Sequence, residues 1–173
     1  MKKEIEIEPD VLGKLQFETV TGMRRLQFLL LEYLFFRDKE ENWALPLDLP
    51  WPLTVLSLML HITKTHALAL LKLPCYFAKL ESHIVGLLAF QERHESLLVA
   101  SLGVAKKYRR LGIGTCMLDC IEAVAKHNGK RWLKVDVWRK NVPAQRFYTK
   151  YGFKIIRSER MLHRMRKATC MFS

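Results

Sequence analysis

The chain has 173 residues, half of them apolar, with 29 Lys+Arg against 17 Asp+Glu for a formal net charge of +12. That size and composition suit one domain with a core of its own, needing neither disulfides nor a structural metal. The longest apolar stretches, Leu26–Phe36 and Leu53–Leu73, are broken by Glu32 and by His61, Lys64 and Lys72, short of the ~20 apolar residues of a membrane span.

Lys3–Glu8 alternates Ile5 and Ile7 with charges, which predicts a short strand ending at Pro9. From Val11 to Arg37 the apolar pattern of Leu15, Met23, Leu26, Phe28-Leu29-Leu30 and Tyr33-Leu34 predicts a helix. Glu40–Pro52, with Pro46, Pro50, Pro52, Trp43 and Trp51, reads as an irregular connection, and Leu53–Leu71 as a second helix closed by Pro74. Cys75–Leu80, Ile84–Phe90 and Leu97–Val104 are short apolar runs separated by polar turns, the pattern of an antiparallel meander. Gly112–His127 is helical, with Ile113, Met117, Ile121, Val124 and Ala125 on one face and Asn128-Gly129 at its end. Trp132–Trp138 reads as a strand, Ala144–Tyr151 as a helix stopped by Gly152, and Phe153–Ile156 with Met161–Arg166 as a closing strand pair. The order β, α, α, β, β, β, α, β, α, β, β describes an α/β domain.

The opening Met1-Lys2-Lys3-Glu4-Ile5-Glu6 has no apolar signal region, so a cytoplasmic chain without membrane contact is expected. Cys75, Cys116, Cys120 and Cys170 make no disulfide framework in a chain of this length. Cys116 and Cys120 lie one helical turn apart, but His127 is too far along for a ligand spacing, so buried thiols are expected and no metal. Charge is unevenly placed: residues 101–173 hold 18 Lys+Arg against 4 Asp+Glu, while residues 1–50 hold 7 against 10. The basic half suits a polyanion such as a nucleotide cofactor, RNA or a ribosomal surface.

Arg109-Arg110-Leu111-Gly112-Ile113-Gly114 sits between a predicted strand and a predicted helix. Two glycines let an anion approach the backbone, the first helical N–H groups are unpaired, and Lys106, Lys107, Arg109 and Arg110 add charge. An ordinary tight turn gives the same Gly-x-Gly. The segment is not a P-loop, since no Gly-Lys-Ser/Thr follows. Nor is it a dinucleotide fingerprint, because Met117 stands where a third glycine belongs.

Val104-Ala-Lys-Lys-Tyr108-Arg109-Arg110-Leu-Gly112-Ile-Gly114-Thr115 resembles the acetyl-CoA motif of the GNAT superfamily of N-acetyltransferases. Asn141-Val-Pro-Ala144-Gln-Arg-Phe147-Tyr148-Thr-Lys-Tyr-Gly152-Phe153 resembles that family's second signature. The resemblance spans about Cys75 to Met165 and implies a single-domain GNAT fold over residues 1–173, with a mixed, mostly antiparallel sheet flanked by helices. Residues 75–166 would form the acetyl-CoA core, and residues 11–73 a variable helical region on the acceptor side. It further implies that the backbone of Leu102, Gly103 and Val104 pairs with pantetheine. Backbone N–H groups across Arg109, Arg110, Leu111, Gly112, Ile113, Gly114 and Thr115 would hold the pyrophosphate. Asn141 would reach the pantetheine arm or order the loop after the fifth strand.

The resemblance also makes Tyr148 the general acid; the other reading is a tyrosine packed against the sheet. No carboxylate lies on Leu97–Val104, only Ser101. Val135-Asp136-Val137-Trp138-Arg139-Lys140-Asn141 is similar to a pattern in ribosomal-protein N-terminal acetyltransferases, where a glutamate on this strand takes the amine's proton. Asp136 is therefore the candidate base, acting through water, or else a structural ion-pair partner. The acceptor is a peptide or lysine amine, or a small amine attracted by Asp38, Glu40, Glu41 and Asp48 beside Trp43 and Trp51. A non-catalytic domain that binds acyl-CoA or nucleic acid is the third reading. The apolar run Phe28–Phe36 is expected to face a partner in part, as in a homodimer.

Overall fold

The computed structural model describes residues 15–37, 72–80 and 82–169. Its elements in chain order are β1 (Leu15–Thr19), α1 (Arg24–Arg37), β2 (Cys75–Leu80), β3 (His83–Glu92), β4 (Ser96–Val104), a 3-10 turn (Lys106–Tyr108), α2 (Ile113–His127), β5 (Trp132–Trp138), α3 (Val142–Lys150), β6 (Lys154–Ser158) and β7 (Leu162–Ala168). The strands form one seven-stranded sheet in the order β1-β2-β3-β4-β5-β7-β6. Every pairing is antiparallel except β4 with β5. This is the expected mixed, mostly antiparallel sheet with flanking helices.

One expected element is corrected. The helix predicted from Val11 begins only at Arg24, and Leu15–Thr19 is instead a strand paired with β2. Leu15 and Phe17 are buried while Gln16 is exposed, a two-residue period that fits a pleated edge. Met23, expected on the helix's apolar face, lies in the turn before it and is exposed. The strand predicted at Lys3–Glu8, the connection at Glu40–Pro52, the helix at Leu53–Leu71, the acidic cluster with its tryptophans, and Cys170 lie outside the described residues. The remaining strands and helices stand where expected, with ends shifted by one or two residues.

Alternation along the strands sorts the core onto two faces. Val85, Leu88, Leu97, Val99, Leu133, Val135 and Val137 face α2, where Ile113, Met117, Leu118, Ile121 and Ala125 close over them. Cys75, Phe77, Leu87 and Ala89 face the other way and pack against Phe28 and Leu29 of α1. Two of the residues expected to face a partner thus serve the chain's own core. Among the described residues no helix is long and apolar enough to cross a membrane.

β4 bends where it matters. Its register with β3 passes from Phe90↔Val99 to Ala89↔Ser101, so Ala100 is an extra residue in the strand. Such a bulge bends a strand and increases its twist. Pairing with β5 ends at the same point, at Val99↔Val135. Beyond it the β4–β5 pairing stops, and among the described residues the β5-facing edge of Ser101–Val104 has no strand partner.

Candidate active site

The separated strands open beside the glycine turn. Arg110 takes φ 69° and Gly112 φ 83°, two left-handed residues flanking Leu111. Left-handed residues in a turn draw successive N–H groups toward one point and make an anion-binding hollow. Among the described residues, the N–H groups of Arg110, Leu111, Gly112, Ile113 and Gly114 make no backbone hydrogen bond, whereas that of Thr115 donates to Gly112 O at 2.9 Å. The run of N–H groups available to an anion therefore spans Arg110–Gly114, and Thr115 closes the first helical turn. Lys106, Lys107 and Arg110 are exposed around it. Arg109 turns back instead, its Nε donating to Val104 O at 2.9 Å, and so braces the end of β4 against the turn.

Tyr148 reaches the site through α3, whose two ends are both fixed. Asn141 caps it, Oδ1 accepting from Ala144 N at 3.2 Å. Gln145 Nε2 donates to the carbonyls of Trp138 and Arg139, at 3.0 and 2.7 Å, and locks the crossover from β5. At the far end Gly152 adopts φ 102°; its N–H donates to Thr149 O, and Phe153 N–H to Tyr148 O, each at 3.0 Å. This paired closure turns the chain so that Phe153 packs under Tyr148, with ring centroids 5.3 Å apart. The Gly-Phe pair of the second signature is thus a helix stop that seats a ring beneath the tyrosine. Tyr148 is buried, and burial raises its pKa, so the phenol stays protonated throughout the working range.

Asp136 lies on β5 just past its last pairing with β4, on the sheet face away from α2. Its carboxylate is exposed and stands 3.7 Å from Arg164 Nε, while Arg164 also approaches Glu159 at 3.4 Å. Leu102 and Val104 pack toward α2, whereas Ser101 shares the face of its partner Ala89. Ser101 Oγ is buried and, among the described residues, makes no well-formed hydrogen bond. The Glu32 carboxyl of α1 approaches it, held up at about 7 by burial, with the Ser101 hydroxyl pulling the other way. Neither residue was assigned a role from sequence. The only signal was a lone glutamate in an apolar helix.

Other polar groups here are structural. Glu122 of α2 meets Lys167 of β7, Lys126 and Tyr151, whose hydroxyl also donates to Asp119 at 2.6 Å. Cys75 and Cys120 are buried thiols, pushed up to about 11 and about 12 by desolvation. A small cavity between α2 and β1–β3 is lined by Phe17, Tyr76, Phe90 and other apolar residues and lies away from the splay.

The model of the acetyltransferase (GNAT) family matches residues 35–153. No curated protein sequence matches the chain. Among solved structures, the chain is similar to the PaiA N-acetyltransferase of Thermoplasma acidophilum in complex with coenzyme A, with TM-score 0.64 and 17% identity, covering 88% of this chain and 98% of that one. An acetyltransferase of the GNAT family from Staphylococcus aureus Mu50 gives TM-score 0.63 at 18% identity, covering 90% and 99%. The ribosomal-protein-S18-alanine N-acetyltransferase of Escherichia coli gives 0.62 at 12% identity, covering 92% and 96%. At these identities the likeness is one of fold.

Proposed function

The chain belongs to the GNAT acetyltransferase family and is an acetyl-CoA-dependent N-acetyltransferase, and we propose that its acceptor is the N-terminal amine of a peptide. The observation that carries the donor half of this reading is the junction of the splay with the hollow. Among the described residues, an edge of β4 without a strand partner runs directly into a turn with five N–H groups that make no backbone hydrogen bond. That combination fits a linear amide-bearing arm ending in a pyrophosphate.

In this reading acetyl-CoA supplies an acetyl thioester, and the protein positions it and moves protons. Arg110–Gly114 bind the pyrophosphate, and the Leu102–Val104 backbone hydrogen-bonds the pantetheine and polarises the carbonyl. Attack by the amine is direct, within a ternary complex. Tyr148 gives the departing sulfur its proton, a task suited to a phenol that burial keeps protonated.

The peptide acceptor is supported by the similarity of Val135–Asn141 to the strand pattern of ribosomal-protein N-terminal acetyltransferases. The similarity in fold to the E. coli ribosomal-protein enzyme agrees with it. In this reading residues 11–73 shape the acceptor side. Exposed Lys140, Lys154 and Arg157 favour an acidic partner such as RNA near the ribosome.

A thiol-release assay with acetyl-CoA and a panel of acceptors tests the proposal. Peptides with free N-termini should turn over, and the same peptides with blocked N-termini and free lysines should not. Preferential turnover of polyamines or amino acids would replace the peptide reading with a small-amine one. Thiol release with no acceptor would contradict both.

A further inference from the structure

α1 packs on the face of the sheet that carries Ser101 of β4, and it brings the carboxyl of Glu32 to that face. Leu97–Val104 carries no acidic residue, and the residue at the splay is Ser101, only 5% exposed, its hydroxyl without a well-formed hydrogen bond among the described residues. A buried hydroxyl without a well-formed hydrogen bond is costly, and the Glu32 carboxyl lies near enough to feel it. α1 lies on this face of the sheet, with Phe28 and Leu29 in one cluster with Ala89, the partner of Ser101, and Glu32 follows one helical turn later. We infer that Glu32 is the catalytic base of the acetyltransferase, taking the proton of the incoming amine at the mouth of the β4–β5 splay, with Ser101 orienting its carboxylate. The inference rests on the acetyltransferase reading above and names a residue of that site that its two signatures do not contain.

Placement supports it first. Ser101 sits one residue past the bulge at Ala100, where β4 leaves β5, and shares its face with Ala89 and α1. This is the face opposite α2 and its phosphate hollow, so an amine arriving from here meets the thioester from the side away from the cofactor's phosphates. Asp136 shares the face from β5, but it is exposed and already paired with Arg164. Glu32 has no such cationic partner among the described residues, so its charge stays available to an ammonium ion.

The surroundings of Glu32 also suit proton transfer near neutral pH. Burial raises its pKa to about 7, against the hydroxyl of Ser101, which lowers it. From β2 the Cys75 thiol lies within electrostatic reach, itself raised to about 11 and so neutral. Arg25, on α1 itself, donates to Leu73 O at 3.1 Å and acts on Cys75. From β3 the facing residues, Leu87 and Ala89, are apolar. A base is most effective when its pKa lies near the working pH.

The step balances simply. The Glu32 carboxylate removes one proton from the ammonium, becoming a neutral acid that later releases it to solvent. The freed lone pair forms the C–N bond, and the C–S bond breaks with its electrons to sulfur. The thiolate takes the Tyr148 proton, and Tyr148 recovers one from the nitrogen as the amide forms.

The test is the pH profile of kcat/KM for one peptide acceptor across wild type, Glu32→Gln, Glu32→Asp, Ser101→Ala and Asp136→Asn. Acetyl-CoA binding is measured separately by thermal shift. Glu32→Gln should lower kcat by about 10²-fold or more while leaving the acetyl-CoA thermal shift intact, and Glu32→Asp should recover part of the loss. Ser101→Ala should move the acidic limb to higher pH, because the hydroxyl that favours the carboxylate is gone. A Glu32→Gln enzyme with normal turnover and an unchanged profile overturns the assignment while the acetyltransferase reading stands. Loss of the acidic limb in Asp136→Asn instead gives the role to Asp136 and also overturns it. A wild type that transfers no acetyl group to any acceptor overturns both.

Discussion

Gly114, on the first turn of α2, lies against the ring of Phe147 on α3: a Cβ at Gly114 would stand 3.2 Å from Phe147 Cζ. The same Cβ would meet Val104 Cγ2 at 3.8 Å, so the glycine sits where the Arg110–Gly114 turn, the end of β4 and the helix of Tyr148 meet. On the proposed function it would couple the donor side of the site to the side that carries Tyr148.

Gly114→Ala should accordingly disturb both functions. Overpacking of this kind costs roughly 1–3 kcal/mol where neighbours cannot yield, and here the nearest atom is a ring edge with some freedom. Steady-state kinetics should show a higher acetyl-CoA KM together with a lower kcat. Adding Phe147→Leu should restore much of both. If the double variant is no better than Gly114→Ala, the two residues are not coupled through this contact.

Tyr148→Phe keeps the ring packed between Phe147 and Phe153 and removes only the hydroxyl. Melting temperature should change little. Turnover should fall by about 10²–10⁴-fold with acetyl-CoA KM nearly constant. Undiminished turnover would leave Tyr148 a packing residue and assign the proton to another donor.

The turn from Arg109 to Thr115 and the stretch from Asn141 to Phe153 were legible as local patterns, and Gly152 stops its helix as expected. The left-handed backbone at Arg110 and Gly112 and the cap at Asn141 are details that the structure adds. The strands β2–β5 were legible from their period and punctuation. Leu15–Thr19 was not, because its five residues abut an apolar helix and a short alternating run is easily absorbed into a longer helical pattern. Glu32 and Ser101 were illegible for a different reason. Their relation exists only once α1 lies across β4, and neither residue alone carries a motif.

Glu122 offers a separate test of how α2 is held to β7. Burial by itself would raise its pKa, but hydrogen bonds and charge from Lys167, then Lys126 and Tyr151, outweigh that and lower it. A carboxylate lowered in the folded state contributes stability above its unfolded pKa and loses it as pH falls through the folded value. Wild-type stability should therefore decline on acidification below about 4.5, and Glu122→Gln should show a shallower decline. At neutral pH the variant should be less stable by roughly 1–3 kcal/mol, since Lys167 and Tyr151 lose their shared acceptor. Equal acid sensitivity in the two proteins would rule out this cluster as the source.

Glu32 predicts the opposite sign. Its folded pKa of about 7 lies above the ordinary 4.5. Stability from this group is thus fully present below the unfolded pKa and is lost as pH rises through about 7. Glu32→Gln should melt higher than wild type at pH 8, with the two converging at pH 4. A variant that is less stable at pH 8 would show that the carboxylate is satisfied in the fold rather than left poised.

The central claim is that the Arg110–Gly114 hollow holds the phosphates of acetyl-CoA, and ligand-induced stabilisation reads it directly. At a hundredfold excess over Kd the gain is about 2.7 kcal/mol, or several degrees in Tm for a chain of this size at roughly 2–4 °C per kcal/mol. Gly112→Glu places a strained, charged side chain at φ 83° in the middle of the hollow. Wild type should show a clear rise in Tm with acetyl-CoA, and Gly112→Glu should show none. An equal rise in both proteins, or no rise in wild type, would contradict it.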